Sequence, residues 1–219
     1  MRISMKAAFL VLTLPLFWLI GCNSESVEME PNFLGGASCA PPCWQQIVPG
    51  ESGVEEALNA LSDPNVVKEG TLVNRTSNEY SFQLQTGGSG NIGVQNEIVR
   101  YIRLHVRQDF DITIEEVVTA LGAPDSVYVQ SNIPEEGGPT SYVIELLYPQ
   151  KGVYARVLCN PPDGSSQVPG QGVTLDPRSQ IQLLVFSAPP SLPYSYLQAQ
   201  TDLASPWQGF AFYRAREHR

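Results

Sequence analysis

The sequence predicts an α+β fold made of two tandem αββββ units, each a short helix packed on an antiparallel meander sheet. Three observations predict it: an internal repeat, matching helix signals in both copies, and alternating, turn-bounded segments after each helix. The stretch from Val54 to Val67 aligns without gaps on Ile114 to Val127, at a constant offset of 60 residues. Glu55/Glu115, Glu56/Glu116, Ala60/Ala120, Leu61/Leu121, Pro64/Pro124 and Val67/Val127 are identical.

Each copy opens on a helix because the local chemistry asks for one. Ser52 and Thr113 are N-cap candidates, and an acidic pair follows each, where the positive end of the helix dipole favours negative charge. Val54, Ala57, Leu58 and Leu61 then recur at helical spacing, as do Ile114, Val117, Val118 and Leu121. Ser62 and Gly122 end the helices, and Pro64 and Pro124 prevent their continuation.

Strand-like segments follow. In the first copy they are Val66–Val73, Glu79–Gln85, Ile92–Gln95 and Ile98–Arg107. In the second they are Ser126–Gln130, Ser141–Tyr148, Val153–Cys159 and Ile181–Ser187, with Pro149 to Gly152 as a hairpin turn. On Ile98–Arg107, Ile102, Leu104 and Val106 point inward, and Tyr101, Arg103, His105 and Arg107 point outward. One helix covers one sheet face, so the two units are expected to pack together or to continue as one curved sheet.

Around the repeat lie three further segments. Residues 1–21 read as a lipoprotein signal peptide: Arg2 and Lys6 precede an apolar run to Ile20, then Gly21 and Cys22. The expectation is cleavage between Gly21 and Cys22, with lipid on the Cys22 thiol holding the chain on the extracytoplasmic face of a membrane. That membrane is the cytoplasmic one, or the outer one where the envelope has two. Residues 22–38 are polar and acidic and read as a flexible tether. Residues 39–108 and 109–188 hold the two units, and 189–219 form an aromatic-rich C-terminal extension.

A formal net charge of −9, more negative once Arg2 and Lys6 are removed, argues against nucleic acid as a partner. With Cys22 lipidated, Cys39, Cys43 and Cys159 remain in an oxidising compartment. Cys39–Cys43 is the favoured disulfide, and a bridge from either to Cys159 is the alternative. Too few His and Cys lie near one another to suggest a metal site, and no cofactor motif is present.

The repeated helix pattern, close to S-x-x-E-E-A/V-x-x-A-L-G-x-P with Ser62 at the glycine of the first copy and Ile112 at the serine of the second, followed by a strand meander, resembles two folds. They are those of β-lactamase inhibitory protein and of the small-protein-A lipoprotein that helps assemble outer-membrane barrels. The opening Cys39-Ala40-Pro41-Pro42-Cys43-Trp44 with Ile47, Pro49, Gly50 and Ser52 also looks like the start of a group of bacterial lipoproteins that begin C-x-x-P-C-W. The resemblance covers about residues 47–187 and implies fold and address. Two units and a long Gly/Pro loop depart from the small-protein-A pattern, so barrel assembly does not carry over.

No nucleophile elbow, HExxH, P-loop or CxxC occurs, so no catalytic residue is assigned and a non-enzymatic role is expected. The remaining expectation is binding of an extracytoplasmic protein or cell-envelope polymer through the sheet surface. Trp44, Arg103, His105, Arg107 and Trp207 are its candidate contact residues. The alternative is a structural role in envelope assembly or maintenance.

Overall fold

The computed structural model describes Leu34 and residues 39–106, 112–132, 141–159, 172–189 and 203–217. Gly21, Cys22, most of the tether and Arg107 lie outside the described residues. In chain order the elements are α1 (Val54–Ala60), β1 (Val73–Thr76), β2 (Glu79–Gln83), β3 (Ser89–Gln95), β4 (Ile98–His105), α2 (Ile114–Leu121), β5 (Ser126–Asn132), β6 (Ser141–Tyr148), β7 (Val153–Cys159), β8 (Val173–Thr174), β9 (Ile181–Ser187), β10 (Ser205–Pro206), β11 (Phe212–Tyr213) and β12 (Arg216–Glu217).

The expectation of an α+β chain with two helix-plus-sheet units is overturned. The described chain is mostly β, and its main strands form one sheet in the order β1-β2-β3-β4-β9-β7-β6-β5-β10, every neighbouring pair antiparallel. A tenth strand, β12, pairs with β5 in parallel. The join is β4 against β9, where Ile102 faces Phe186 and Leu104 faces Leu184. The reason is the cost of an edge: a separate meander would end at β4 or β9 with unpaired N–H and C=O groups beside fully buried side chains. Zipping the two edges together satisfies both.

Both helices lie on one face of this sheet. Ala57 and Leu61 of the first helical segment and Ile114, Val117 and Leu121 of the second join a single core with Phe82, Ile92, Ile102, Leu104, Ile144, Leu146, Ala155, Leu184 and Phe186. Thr113 caps α2 as expected, its hydroxyl accepting from Glu116 N at 3.3 Å while the Glu116 carboxylate accepts from Thr113 N at 2.7 Å. Ser52 does not cap α1. The N-cap is Gly53, and the Ser52 hydroxyl instead accepts from Val48 N at 3.0 Å.

The two ends of the sheet are treated differently. At one end the C-terminal segment lays β10 and β12 along the outer edge of β5, pairing with Ser126 and Val127 and with Gln130 and Ser131. At the other end β1 is four residues long, exposed throughout and irregular between Asn74 and Thr76, a short kinked edge that discourages further pairing. No helix among the described residues is long and apolar enough to cross a membrane.

Candidate functional site

Strand alternation sends Tyr101, Arg103 and His105 of β4 to the face that carries no helix. Registers place them in two rows across the sheet. One runs Glu145, Arg156, Leu183, His105, Ser89, Gln83; the next runs Leu147, Tyr154, Val185, Arg103, Asn91, Ser81.

The two halves of this face differ. On the β5, β6, β7 and β9 side, Tyr128, Leu147, Tyr154, Leu183 and Val185 form a second buried apolar cluster, with Ala204 and Tyr101 packed against it. On the β2 to β4 side the lining is polar, and His105, Ser89 and Gln83 are exposed. A shallow depression of ≈ 500 Å³ lies there among Arg75, Ser81, Gln83, Asn91, Arg103 and His105. A second, of ≈ 490 Å³, adjoins it around Glu79, Arg100 and Tyr101.

Local bonds hold this lining in place. Asn91 donates to Glu79 at 2.7 Å, and Arg75 Nε donates to the Ser81 hydroxyl at 2.8 Å. The Tyr101 ring lies over Gly93, where any Cβ would overlap it, and the Arg103 guanidinium sits 5.4 Å from the centre of that ring. Burial raises the Tyr101 phenol pKa, helped by the Glu79 carboxylate and opposed by Arg103. Although its side chain is exposed, desolvation by the surrounding sheet face lowers the His105 pKa, and the positive charges of Arg103 and Arg156 lower it further. The two guanidiniums thus favour the neutral imidazole, which can donate from one nitrogen and accept at the other.

Within the β6–β7 part of the apolar half lies a polar network that is not among the expected contact residues. Glu145, 1 % exposed, accepts from Tyr154 OH at 2.6 Å and from Arg156 Nη2 at 2.9 Å, and Arg156 Nε donates to Tyr154 OH at 2.7 Å. The other Glu145 oxygen, Oε2, is buried without a partner. A signal for this network was present: Glu145 and Arg156 are the charged residues of two otherwise mostly apolar strands, placed symmetrically about the Pro149–Lys151 turn.

The remaining expected contact residues do not gather here. Trp44 is 1 % exposed on the helix-bearing face, its ring stacked on Phe82 at 6.0 Å. Trp207 sits beyond the β5 edge, edge-on to Phe210 and stacked on Tyr213. The structure thus brings Arg103 and His105 together and places Trp44 and Trp207 elsewhere. Cys39 and Cys43 are disulfide-bonded, with Cα atoms 5.4 Å apart, and Cys159 is a free thiol whose pKa is raised chiefly by burial. Among the described residues no group of three His, Cys, Asp or Glu side chains converges as metal ligands would. In comparisons with protein-family models, curated proteins and solved structures, nothing matches this chain.

Proposed function

We propose that this chain is a lipid-anchored extracytoplasmic protein that binds a protein or polymer, without catalysis, through the polar half of its helix-free sheet face. The observation that carries the reading is that Arg75, Asn91, Arg103 and His105 line one accessible depression on the face opposite the helices and main core. Sheet faces in antiparallel folds are normally apolar where they pack and polar where they meet water or ligand. This half combines cations, an amide, hydroxyls and an aromatic ring on regular strands, so a ligand would meet positioned donors. The signal peptide, the lipobox at Cys22 and the C-x-x-P-C-W opening support the address.

The test uses a photo-crosslinking residue placed at Gln83 or Ser89 on this face and at Glu56 on the exposed side of α1, in the anchored protein in intact cells. Adducts are expected from Gln83 and Ser89, and their yield should fall when Arg103 is changed to Glu. Adducts formed equally from Glu56, or none from either strand position, would sink the reading. So would a hydrolase turnover abolished by His105→Ala.

A further inference from the structure

An exposed aromatic and cationic patch on the C-terminal segment stands apart from that face. Among the described residues five large hydrophobic side chains are exposed, and three of them, Leu203, Phe210 and Phe212, lie between residues 203 and 217. Phe212 is 56 % exposed, the most of the five. Along the chain Phe212, Arg214 and Arg216 are exposed, while Tyr213 and Ala215 between them are buried. In an extended segment that alternation puts the two arginines on the same side as the phenyl ring. Tyr213 fixes the arrangement from below, its hydroxyl donating to Gly209 O at 3.0 Å and accepting from Gln208 N at 2.7 Å. Trp207 packs half-buried between Phe210 and Tyr213.

A purely structural segment has no use for this composition. Capping the edge of β5 takes only the backbone of β10 and β12. Exposed phenyl rings beside arginines match instead the boundary layer of a bilayer, where aromatic rings sit among headgroups and guanidiniums meet lipid phosphate. Charge selects the same occupant: in a chain of net charge −9, Arg214 and Arg216 outweigh Glu217 and leave residues 203–217 net positive, with Arg216 also donating to the Leu203 carbonyl at 3.4 Å. Reach agrees as well. Leu34 already belongs to the core, and the twelve residues from Cys22 to Leu34 span at most about 40 Å.

We infer that Phe210, Phe212, Arg214 and Arg216 form a docking surface for an anionic lipid bilayer, a second membrane contact beyond the acyl chains at Cys22. The inference takes its geometry partly from the anchored reading, and its test separates the two. A docked sheet would be held in one orientation at the membrane.

The full chain, purified in detergent and checked for acylation by mass spectrometry, is placed on vesicles of phosphatidylcholine with or without phosphatidylglycerol. The lipids carry bromine near the headgroup end of their acyl chains. Tryptophan emission is followed, with Trp207→Phe identifying the Trp207 share, since Trp44 is buried. Quenching of Trp207 is expected on the anionic vesicles and only weakly on the neutral ones. The double variant Arg214→Gln/Arg216→Gln should weaken docking about 30-fold, two charges at about 1 kcal/mol each. Phe212→Ser, which removes an exposed ring and leaves the core untouched, should also weaken it.

Acylated chain that floats with the vesicles but shows no Trp207 quenching overturns the docking surface and leaves the anchor standing. Quenching that is the same on neutral vesicles, or unchanged in both variants, also overturns it. Chain lacking acyl groups that still docks on anionic vesicles through these residues supports the surface and sinks the anchor.

Discussion

Glu145 and Arg156 face each other across the β6–β7 hairpin, with Arg156 Nη2 2.9 Å from a carboxylate that is 1 % exposed. Removing Arg156 leaves the buried Glu145 carboxylate without its counter-ion. Arg156→Met is expected to destabilise the fold by about 3–5 kcal/mol, because the buried charge loses its counter-ion and two donors. The double variant Glu145→Met/Arg156→Met should recover most of that loss. Urea denaturation of the two single variants and the double one measures the coupling, and additive losses would show that the pair is not a unit.

Gly152 ends the Pro149–Lys151 turn at φ 61°, and a Cβ there would overlap the Ser187 carbonyl oxygen. Gly152→Ala therefore combines left-handed backbone strain with overpacking against β9, for an expected loss of about 3 kcal/mol. Gly70 shares the positive φ, at 74°, but has nothing within 4 Å of the same position. Gly70→Ala should cost only about 1 kcal/mol. Equal losses in the two variants would mean that the Ser187 contact does not matter.

The imidazole of His105 is expected to titrate below its ordinary value of 6.5. Arg103→Gln should move the midpoint back toward 6.5 by removing one of the charges that lowers it. The folded chain holds this proton less readily than the unfolded chain does. The stability from neutral His105 is thus complete above 6.5 and is lost as pH falls through the folded value. Because the side chain is exposed, solvent screening keeps the effect small. An NMR titration of the imidazole checks the direction, and a midpoint above 6.5 contradicts it.

If the proposed anchor is right, Cys22→Ala is expected to abolish incorporation of labelled palmitate and to leave an uncleaved or released product, since that reading places the lipid on this thiol. Metabolic labelling followed by gel analysis decides this. Label retained in the variant means that the acyl group sits elsewhere.

Much of the fold is visible along the sequence and little of it across the sequence. The strands β6, β7 and β9 occupy 141–148, 153–159 and 181–187, the bounds that apolar alternation and the Pro149-Gln150-Lys151-Gly152 turn indicate. The first strand is displaced: 66–73 is expected and β1 runs Val73–Thr76, because Gly70 turns the chain at φ 74° before the strand begins. One continuous sheet is among the arrangements the sequence allows, but its seam is not legible, since alternation on β4 tells which face Ile102 and Leu104 take but not which strand lies beside them. Arg103 and His105 are legible for the same reason that the pairing of β4 with β9 is not: a face is written in one strand, an edge in two. Glu145 and Arg156 were obscured by their apolar neighbours and become readable only when the hairpin is folded about its turn.

The β4–β9 seam also sets an order of events. A chain is made from its N-terminal end, so residues 98–105 emerge well before 181–187, which follow on the order of 80 residues later. Until then β4 presents a bare row of amides and the first meander lacks its neighbour. Closing so long a loop is the slow, entropy-limited part of folding a non-local sheet. Proteases and chaperones would therefore meet this protein chiefly as a half-sheet, and mutations at Ile102, Leu104, Leu184 or Phe186 should reduce the yield of folded chain more than the properties of the chain once folded.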